Sequence, residues 1–139
     1  VPEEGTIWNG TIVVDIVEED ETGVELLLMS LDEWDATVSQ VADVEDSYTV
    51  NGISGWRLPT HEEAKFLQNT YSGNERLKLN EAIAEYDSSL YGLDGEARYL
   101  CDKSGVCYSF IFAIGRVISK AGPQKYYYLR LVKSYRIDF

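Results

Sequence analysis

Three side chains in this sequence have the chemistry of bases or nucleophiles: His61, the only histidine, and the two cysteines Cys101 and Cys107. His61 falls at the start of a predicted helix, where the helix dipole disfavours an imidazolium. No serine or cysteine near it forms a G-x-S-x-G elbow. With 24 acidic residues, no pair of carboxylates is diagnostic of glycoside hydrolysis. We therefore interpret His61 as a neutral surface or hinge residue and assign no catalytic residue.

Cys101 and Cys107 flank a predicted turn. Asp102, Ser104 and Gly105 between them are turn formers, so their flanks are expected to pair as an antiparallel hairpin. The two sulfurs could then meet in a disulfide, or both residues could be buried thiols, because sequence does not fix the Cβ geometry. No metal site is assigned, since there is no third cysteine and the only histidine is far away in sequence.

The tyrosines are the strongest indication of a binding surface. Ten occur, and the densest run is Tyr126–Tyr128. In a strand, the first and third of these would share one face and Tyr127 would take the other. Exposed rings beside polar groups bind sugars and protein partners, although an edge strand covered by loops remains an open alternative. The candidate binding residues are Tyr126, Tyr128, Arg130 and Asp94, with the loops Ser88–Ala97 and Lys120–Lys125.

The chain is strongly acidic. Its 139 residues include 24 Asp and Glu against 12 Lys and Arg, which gives a formal net charge of −12. Such a field repels phosphate backbones and anionic lipid, so neither nucleic acid nor a charged membrane surface is an expected partner. No segment approaches the roughly 20 apolar residues of a membrane span, so no membrane insertion is expected. The length fits a single domain over residues 1–139.

The negative charge is unevenly distributed. Acids concentrate at Glu18–Glu21 and Asp32–Asp46, whereas Lys120–Arg136 is net positive and rich in tyrosine. The run Glu18–Glu21 lacks the alternating oxygens and defined glycine of a calcium loop, and we interpret it as a solvated turn that protects a sheet edge. No cofactor is assigned, but calcium stays open because acidic loops are common to calcium sites and plain surface. The less acidic, aromatic end is the better place to look for a partner.

The predicted elements run strands, helices, strands, which is typical of an α+β domain. Alternating β-branched residues predict a hairpin of Thr11–Val17 and Val24–Ser30, with a charged turn at Glu18–Gly23. An S-x-x-E capping box at Ser30–Glu33, followed by apolar residues at helical spacing, predicts a short helix over Trp34–Ala42.

The second half of the chain predicts a further helix and three strands. The helix carries an apolar stripe of Leu79, Ala82, Ile83 and Tyr86 and would be capped by Asn74 or Asn80. The strands are Arg98–Cys101, Cys107–Ile118 and Tyr126–Ser134. Apolar residues occupy both the odd and the even positions of Phe110–Ile114, which predicts a central strand buried on both faces.

The segment Gly55-Trp56-Arg57-Leu58-Pro59-Thr60-His61-Glu62-Glu63 is the most informative one. A threonine followed three residues later by glutamate forms a capping box, which predicts a helix from this point to about Tyr71. Arg57 is expected to pair with a buried acid, because an unpaired buried charge is prohibitive. Arg130 needs such a partner too, and an acid at the start of this helix could serve either one. The residues interpreted as a structural corner are Trp56, Arg57, Leu58, Pro59, Thr60 and Glu63.

This segment resembles the W-R-L-P-T-x-x-E signature of a bacterial domain family typified by the C-terminal domain of a collagen-like adhesin. That family belongs to the C-type-lectin-like superfamily, which includes the formylglycine-generating enzymes. The run Gly23–Leu28, the segment Trp34–Ala42 and the closing Leu129–Val132 fit the family's order, so the resemblance covers roughly Gly5–Lys133. It implies a C-type-lectin-like fold, with an antiparallel sheet and two or three short helices packed to one side.

The chain also departs from this family. Tyr99-Leu100-Cys101 replaces the usual aromatic-Trp-Ser-Ser run, and the Glu-Pro-Asn or Gln-Pro-Asp and Trp-Asn-Asp signatures of calcium-dependent lectins are absent. The two cysteines, six positions apart, do not match the catalytic thiols of the formylglycine-generating branch. Neither calcium-mediated sugar binding nor oxidase activity is therefore carried over.

The expected function is a non-catalytic binding or adhesion module of a bacterial envelope or surface protein, with a glycan or another protein as its ligand. Two alternatives stay open: a carbohydrate-active or degenerate formylglycine-generating-like enzyme, and a subunit of a pilus or other surface polymer. The resemblance implies a location in the bacterial envelope or outside the cell. A lipid-anchored segment before Val1 would also place the domain in the envelope.

Overall fold

The chain forms two β-sheets and three α-helices. The computed structural model describes every residue from Val1 to Phe139. In chain order the elements are β1 Thr6–Trp8, β2 Thr11–Asp20, β3 Gly23–Ser30, β4 Trp34–Ala36, a 3-10 turn Val38–Gln40, α1 Val41–Ser47, α2 His61–Thr70, α3 Asn74–Tyr86, β5 Tyr99–Lys103, β6 Val106–Phe110, β7 Ser119–Lys120, β8 Tyr127–Leu129 and β9 Val132–Asp138. This mixed content agrees with the expected α+β class. None of the helices is long and apolar enough to cross a bilayer.

The strands form two sheets where one antiparallel sheet was expected. The first sheet has the order β1-β2-β3-β9 and is antiparallel throughout. The second has the order β4-β8-β5-β6-β7 and contains one parallel pairing, between β5 and β8. The prediction of a single strand over Tyr126–Ser134 was wrong, because the chain leaves the second sheet at Arg130 and enters the first at Val132.

Two hydrophobic cores lie on opposite faces of β2 and β3. On β2, Ile12 belongs to the first core and Val13 to the second, as the alternation of a strand requires. The first core takes in residues of α2 and α3, whereas the second takes in Val41 of α1 together with Trp56. The helices therefore pack against two cores, and the expectation that they lie on one side was wrong.

The first hairpin is confirmed, with longer strands than predicted. β2 continues to Asp20, which pairs with Gly23, so the turn has only the two residues Glu21 and Thr22. The Asp20 carboxylate closes it by accepting hydrogen bonds from the backbone N–H and hydroxyl of Thr22. The predicted turn from residue 18 was too long because exposed acids are compatible with a paired strand.

The helix predicted over Trp34–Ala42 starts later and is shorter. Residues 34–36 form β4 and pair with β8, and helical backbone begins only at Val38. Ser30 ends β3, and its hydroxyl donates to the carbonyl of Asp32 without capping a helix. Sheet pairing thus overrides the apolar helical spacing that starts at Trp34.

The capping box of α2 is confirmed. The Thr60 hydroxyl accepts the N–H of Glu63 at 3.1 Å, and the Glu63 carboxylate accepts the N–H of Thr60 at 2.9 Å. Ala64, Leu67 and Tyr71 are buried as predicted.

The third helix is confirmed. Its predicted capping residues and part of its predicted apolar stripe are not. Its N-cap is Gly73, and Asn80 instead holds the following loop through two hydrogen bonds to the backbone of Leu93. Leu79 and Ile83 are buried, whereas Tyr86 is 56% exposed because it lies at the last residue of the helix.

Removing the α2 cap gives the first test of this local structure. We expect Thr60→Ala to lower the free energy of unfolding by about 1 kcal/mol, since the N–H of Glu63 loses its acceptor. Thermal or denaturant unfolding measures the change. Ser54→Ala, which removes an exposed hydroxyl outside any helix, serves as the control, and equal stabilities of the two variants would contradict the capping role.

The predicted strand Cys107–Ile118 ends early. β6 stops at Phe110, and the chain then forms a loop whose carbonyls at Ile111 and Arg116 accept hydrogen bonds from the side-chain amide of Gln68. Phe112 is buried, but Ile114 is 68% exposed. The prediction of a strand buried on both faces was therefore wrong beyond Phe110.

Cys101 and Cys107 lie in the predicted hairpin but are not bonded. Cys107 faces Asp102 across the strands, and Cys101 faces Tyr108, so the two thiols are on opposite faces of the strand pair. Cys101 is buried in the first core, while Cys107 packs against the second. The structure therefore has two free thiols and no disulfide.

The Asp15 carboxyl on β2 gives a pH-dependent prediction. Burial raises its pKa to about 6 from the ordinary 3.8, with further contributions from hydrogen bonding to and repulsion by Glu4. Because the folded pKa lies above the unfolded one, ionisation of Asp15 destabilises the fold, and this cost develops as the pH rises from about 4 to 6. We expect Asp15→Asn to raise the melting temperature at pH 7, with a gain that shrinks as the pH falls toward 4.

Thermal unfolding at pH 4 and pH 7 measures this effect. Glu18→Gln removes an exposed carboxylate from the same strand and is expected to change the melting temperature little at either pH. An Asp15→Asn gain of the same size at both pH values would contradict the assigned cause.

Candidate functional site

A cleft of about 530 Å³ opens at one end of the second sheet. Its lining combines three tyrosines, three cations, one carboxylate and three small residues: Tyr126, Tyr127, Tyr128, Arg98, Lys120, Lys125, Asp35, Ala97, Ser109 and Ser119. We call it the tyrosine cleft.

The parallel pairing in the second sheet creates this cleft. β5 and β8 are joined through the single residue pair Tyr99 and Tyr128, and the N–H of Tyr128 donates to the carbonyl of Arg98 at 3.0 Å. Parallel strands begin at the same edge of a sheet, so the residues that precede each strand, Arg98 and Tyr126, meet there. Ser109 on β6 and Ser119 on β7 complete the wall.

The three tyrosines differ in their roles. Tyr127 is buried in the second core, and its hydroxyl accepts the N–H of Gly122 at 2.7 Å, which fixes the loop before it. Tyr128 is half-buried, with its ring 5.6 Å from that of Tyr99. Tyr126 is 64% exposed. β8 lies between β4 and β5, so the open alternative of an edge strand does not apply to this run.

The cations of the tyrosine cleft have no ionic partner. Arg98, Lys120 and Lys125 are exposed, and none has a carboxylate within 4.0 Å. The one side-chain hydrogen bond among them joins Nη1 of Arg98 to the hydroxyl of Ser109 at 3.4 Å. Three cations thus face one carboxylate, Asp35, in a chain whose net charge is −12.

A second, smaller depression of about 270 Å³ adjoins the tyrosine cleft. Asp35 and Tyr128 line both, so the two cavities are neighbours, and we refer to them together as the groove. The other lining residues are Glu33, Trp34 and Tyr91, and the Tyr91 ring is highly exposed. We call this part the aromatic depression.

A buried network supports the aromatic depression. Arg130 is 1% exposed and lies 3.4 Å through Nε from the Glu33 carboxylate. Its Nη2 donates to the carbonyl of Tyr91 at 2.6 Å, and its Nη1 donates to the carbonyls of Ser30 and Leu31. The Tyr99 hydroxyl also donates to Glu33, and burial, then this hydrogen bond, raise the pKa of that tyrosine. The partner of Arg130 is therefore Glu33, not an acid at the start of α2.

The structure brings together some of the predicted binding residues and separates others. Tyr126 and Tyr128 line the tyrosine cleft with both lysines of the predicted loop. Asp94 does not line it; its carboxylate accepts the N–H groups of Glu96 and Ala97 and shapes the loop that leads to Arg98. Arg130 is buried beneath the groove and is not open to a ligand.

The W-R-L-P-T segment joins the two sheets. Arg57 exchanges two backbone hydrogen bonds with Val132 of β9, and the carbonyl of Pro59 accepts the N–H of Asp102 on β5. The indole N–H of Trp56 donates to the carbonyl of Ile53 in the second core. These contacts give the segment a structural role, as a corner between the sheets.

The Arg57 guanidinium stabilises this corner through two hydrogen bonds to one carboxylate. It donates to both oxygens of Glu63, at 2.6 and 3.0 Å. Burial alone would raise the pKa of Glu63, but the hydrogen bonds from Arg57 and Thr60 outweigh it and leave this pKa below its ordinary value. The expected acid partner of Arg57 is thus the capping glutamate itself.

The residues with catalytic chemistry lie apart from the groove. His61 is the first residue of α2, 3.6 Å from Glu62, with its ring 6.2 Å from that of Tyr108. Burial raises the pKa of the Cys101 thiol to about 12 and also raises that of Cys107, so both thiols are protonated at neutral pH. No three His, Cys, Asp or Glu side chains converge as a metal site would require.

Sequence reasoning missed Arg98, Asp35 and Trp34 as groove residues, whereas Tyr91 lies in the predicted loop Ser88–Ala97. The predicted loop stops one residue short of Arg98. No sequence signal was available for Arg98, because only the fold shows which cations lie beside the tyrosines. Asp35 and Trp34 were hidden by the incorrect helix over residues 34–42.

Comparison with known proteins returned no relative. No protein-family model, curated protein or solved structure matches the chain. The resemblance to the adhesin family stays a prediction, and the groove and the contacts around it are the basis for assigning a function.

Proposed function

We propose that this chain is a non-catalytic binding module that holds its ligand in the groove formed by the tyrosine cleft and the aromatic depression. The observation that supports this best is the convergence of the exposed Tyr126 ring with three unpaired cations in one cleft. Aromatic faces and free hydrogen-bond donors are the groups that fix sugars and protein segments on a surface. The ligand is a glycan or a surface protein.

The chemistry of the groove favours binding over catalysis. Its side chains donate and accept hydrogen bonds and offer ring faces, and the arginine and lysine side chains remain charged at neutral pH. The two thiols are protonated, and His61 lies on another part of the surface. The groove therefore holds no thiol, imidazole or serine–base pair, and of its two carboxylates Glu33 is already bound to Arg130 and Tyr99.

The proposed location is the bacterial envelope or cell surface, and the proposed fold is C-type-lectin-like. Both rest on the W-R-L-P-T segment and the order of the elements around it. In lectin-like domains the ligand is bound by loops on a rigid scaffold. The two predicted loops, Ser88–Ala97 and Lys120–Lys125, each supply residues that line the groove.

An array of glycans and extracellular-matrix proteins tests the proposal. We expect the wild-type domain to bind at least one class of probe, and Tyr126→Ser to lose most of that binding because the exposed ring is its main contact surface. Tyr86→Ser on α3 is the matched control, since it removes an equally exposed tyrosine away from the groove.

Two results would overturn the proposal. One is binding that Tyr126→Ser and Tyr86→Ser affect equally, which would place the ligand elsewhere. The other is turnover of a glycoside substrate together with no binding on the array, which would favour an enzyme.

A further inference from the structure

The charge of the groove specifies its ligand more closely than its shape does. Five of the twelve lysines and arginines pair with carboxylates within 4.0 Å: Arg57, Lys65, Lys78, Arg130 and Arg136. With acids in twofold excess, partners are available over most of the surface. Seven cations stay unpaired, and two of them, Arg76 and Arg116, share a cleft with Glu96. Three others, Arg98, Lys120 and Lys125, lie together in the tyrosine cleft, which is where a ligand would supply the missing negative charge.

The type of cation indicates the kind of anion. Arg98 uses one of its five N–H donors on Ser109, and its guanidinium fork matches the two oxygens of a carboxylate. Lys120 and Lys125 add two mobile point charges to the lining, one at each end of the segment 120–125. Ser119 in the wall adds a hydroxyl able to donate or accept.

The aromatic residues extend the site in one direction. From Tyr126 the groove continues past Tyr128 to Tyr91 and Trp34 in the aromatic depression. The exposed rings of Tyr126 and Tyr91 at its two ends can each cover the apolar face of a sugar, whereas Trp34 packs on Tyr48 in the second core. Asp35, shared by both parts of the groove, can accept hydrogen bonds from sugar hydroxyls.

We propose, building on the proposed binding function, that the ligand is an acidic oligosaccharide whose carboxylates contact Arg98, Lys120 and Lys125 while its rings lie on the tyrosines. The acidic tip of the first hairpin does not prevent this. Charges farther away than about 8 Å are largely screened at physiological salt, so the local cations decide the interaction.

Isothermal titration calorimetry with two matched probes tests this. The first probe is a hexamer of galacturonic acid, and the second is its fully methyl-esterified form, which keeps the rings and removes the charges. We expect the acid to bind about tenfold or more tightly than the ester, as the loss of charge-assisted hydrogen bonds predicts.

Three variants assign the effect to the groove. Arg98→Gln should weaken acid binding about tenfold, and Arg98→Lys less, because it keeps the charge but loses the fork. Asp35→Asn should raise the affinity for the acid relative to the ester a few fold, since it removes repulsion of the ligand carboxylates but keeps an amide oxygen that accepts from sugar hydroxyls. Lys65→Gln, an exposed cation on α2, should have no effect, and melting temperatures check that each variant is folded.

The outcomes separate this inference from the proposed function. Equal affinity for acid and ester would overturn the acidic ligand and leave the binding module standing. Equal affinity for a hexaglutamate peptide would overturn the assignment to a glycan. Binding of neither hexamer would also overturn the inference, and the array with Tyr126→Ser would then decide the proposed function by itself.

Discussion

Glu33→Ala should destabilise the protein by about 3–5 kcal/mol, because it leaves the Arg130 charge buried without its carboxylate. The Arg130 side chain is 1% exposed and that of Glu33 is 9% exposed, so water reaches neither freely. The same change removes the acceptor of the Tyr99 hydroxyl. Denaturant unfolding monitored by tryptophan fluorescence measures the loss.

A double-mutant cycle separates the ion pair from its surroundings. Arg130→Met with Glu33→Leu removes both charges, and the loss should be smaller than the sum of the two single losses. The double mutant will still be less stable than the wild type, since Arg130 also donates hydrogen bonds to the carbonyls of Ser30, Leu31 and Tyr91. Glu62→Ala, at an exposed pair with Lys65, is the control and should change stability by less than about 1 kcal/mol. Similar losses at Glu33 and Glu62 would contradict the role given to the buried pair.

Phe112→Ala should cost about 3–5 kcal/mol, the usual range for deleting a buried phenyl ring. Phe112 is fully buried in the first core, with its ring 5.0 Å from that of Tyr99 and 5.3 Å from that of Phe110. Its removal opens a cavity within this aromatic group. Thermal unfolding measures the effect.

Ile114→Ala is the matched control for this prediction. Ile114 is only two residues farther along the chain but is exposed, so its truncation should change stability by less than about 0.5 kcal/mol. A central strand buried on both faces would instead make both substitutions costly. The contrast between the two variants therefore tests where β6 ends.

Local signals predicted some elements well and others badly for a physical reason. The capping box at Thr60 and Glu63 is a contact within four residues, so the sequence carries all of it. Ser30–Glu33 has the same pattern, but pairing of residues 34–36 with β8, more than ninety positions away, decides the structure there. The break at Arg130 is likewise set by distant groups, the carbonyls and carboxylate that surround its side chain.

The sequence could predict which kinds of residue form the candidate site, but not how they are arranged in space. Tyr126, Tyr128 and the two lysines could be chosen because they are close in sequence. Arg98 and Asp35 join them only through the pairing of β8 with β5 on one side and β4 on the other. Arg130 has the chemistry of a binding residue, and only its burial shows that it holds the scaffold instead.

The chain crossing at Arg130 has a consequence for folding. β8 is an inner strand of the second sheet, and β9 covers β3 in the first, so neither sheet is complete until residues 127–138 are in place. Before that, the apolar strand β3 has an unpaired edge, which is a site for aggregation. The two sheets therefore depend on the same short stretch of chain and cannot be completed independently of each other.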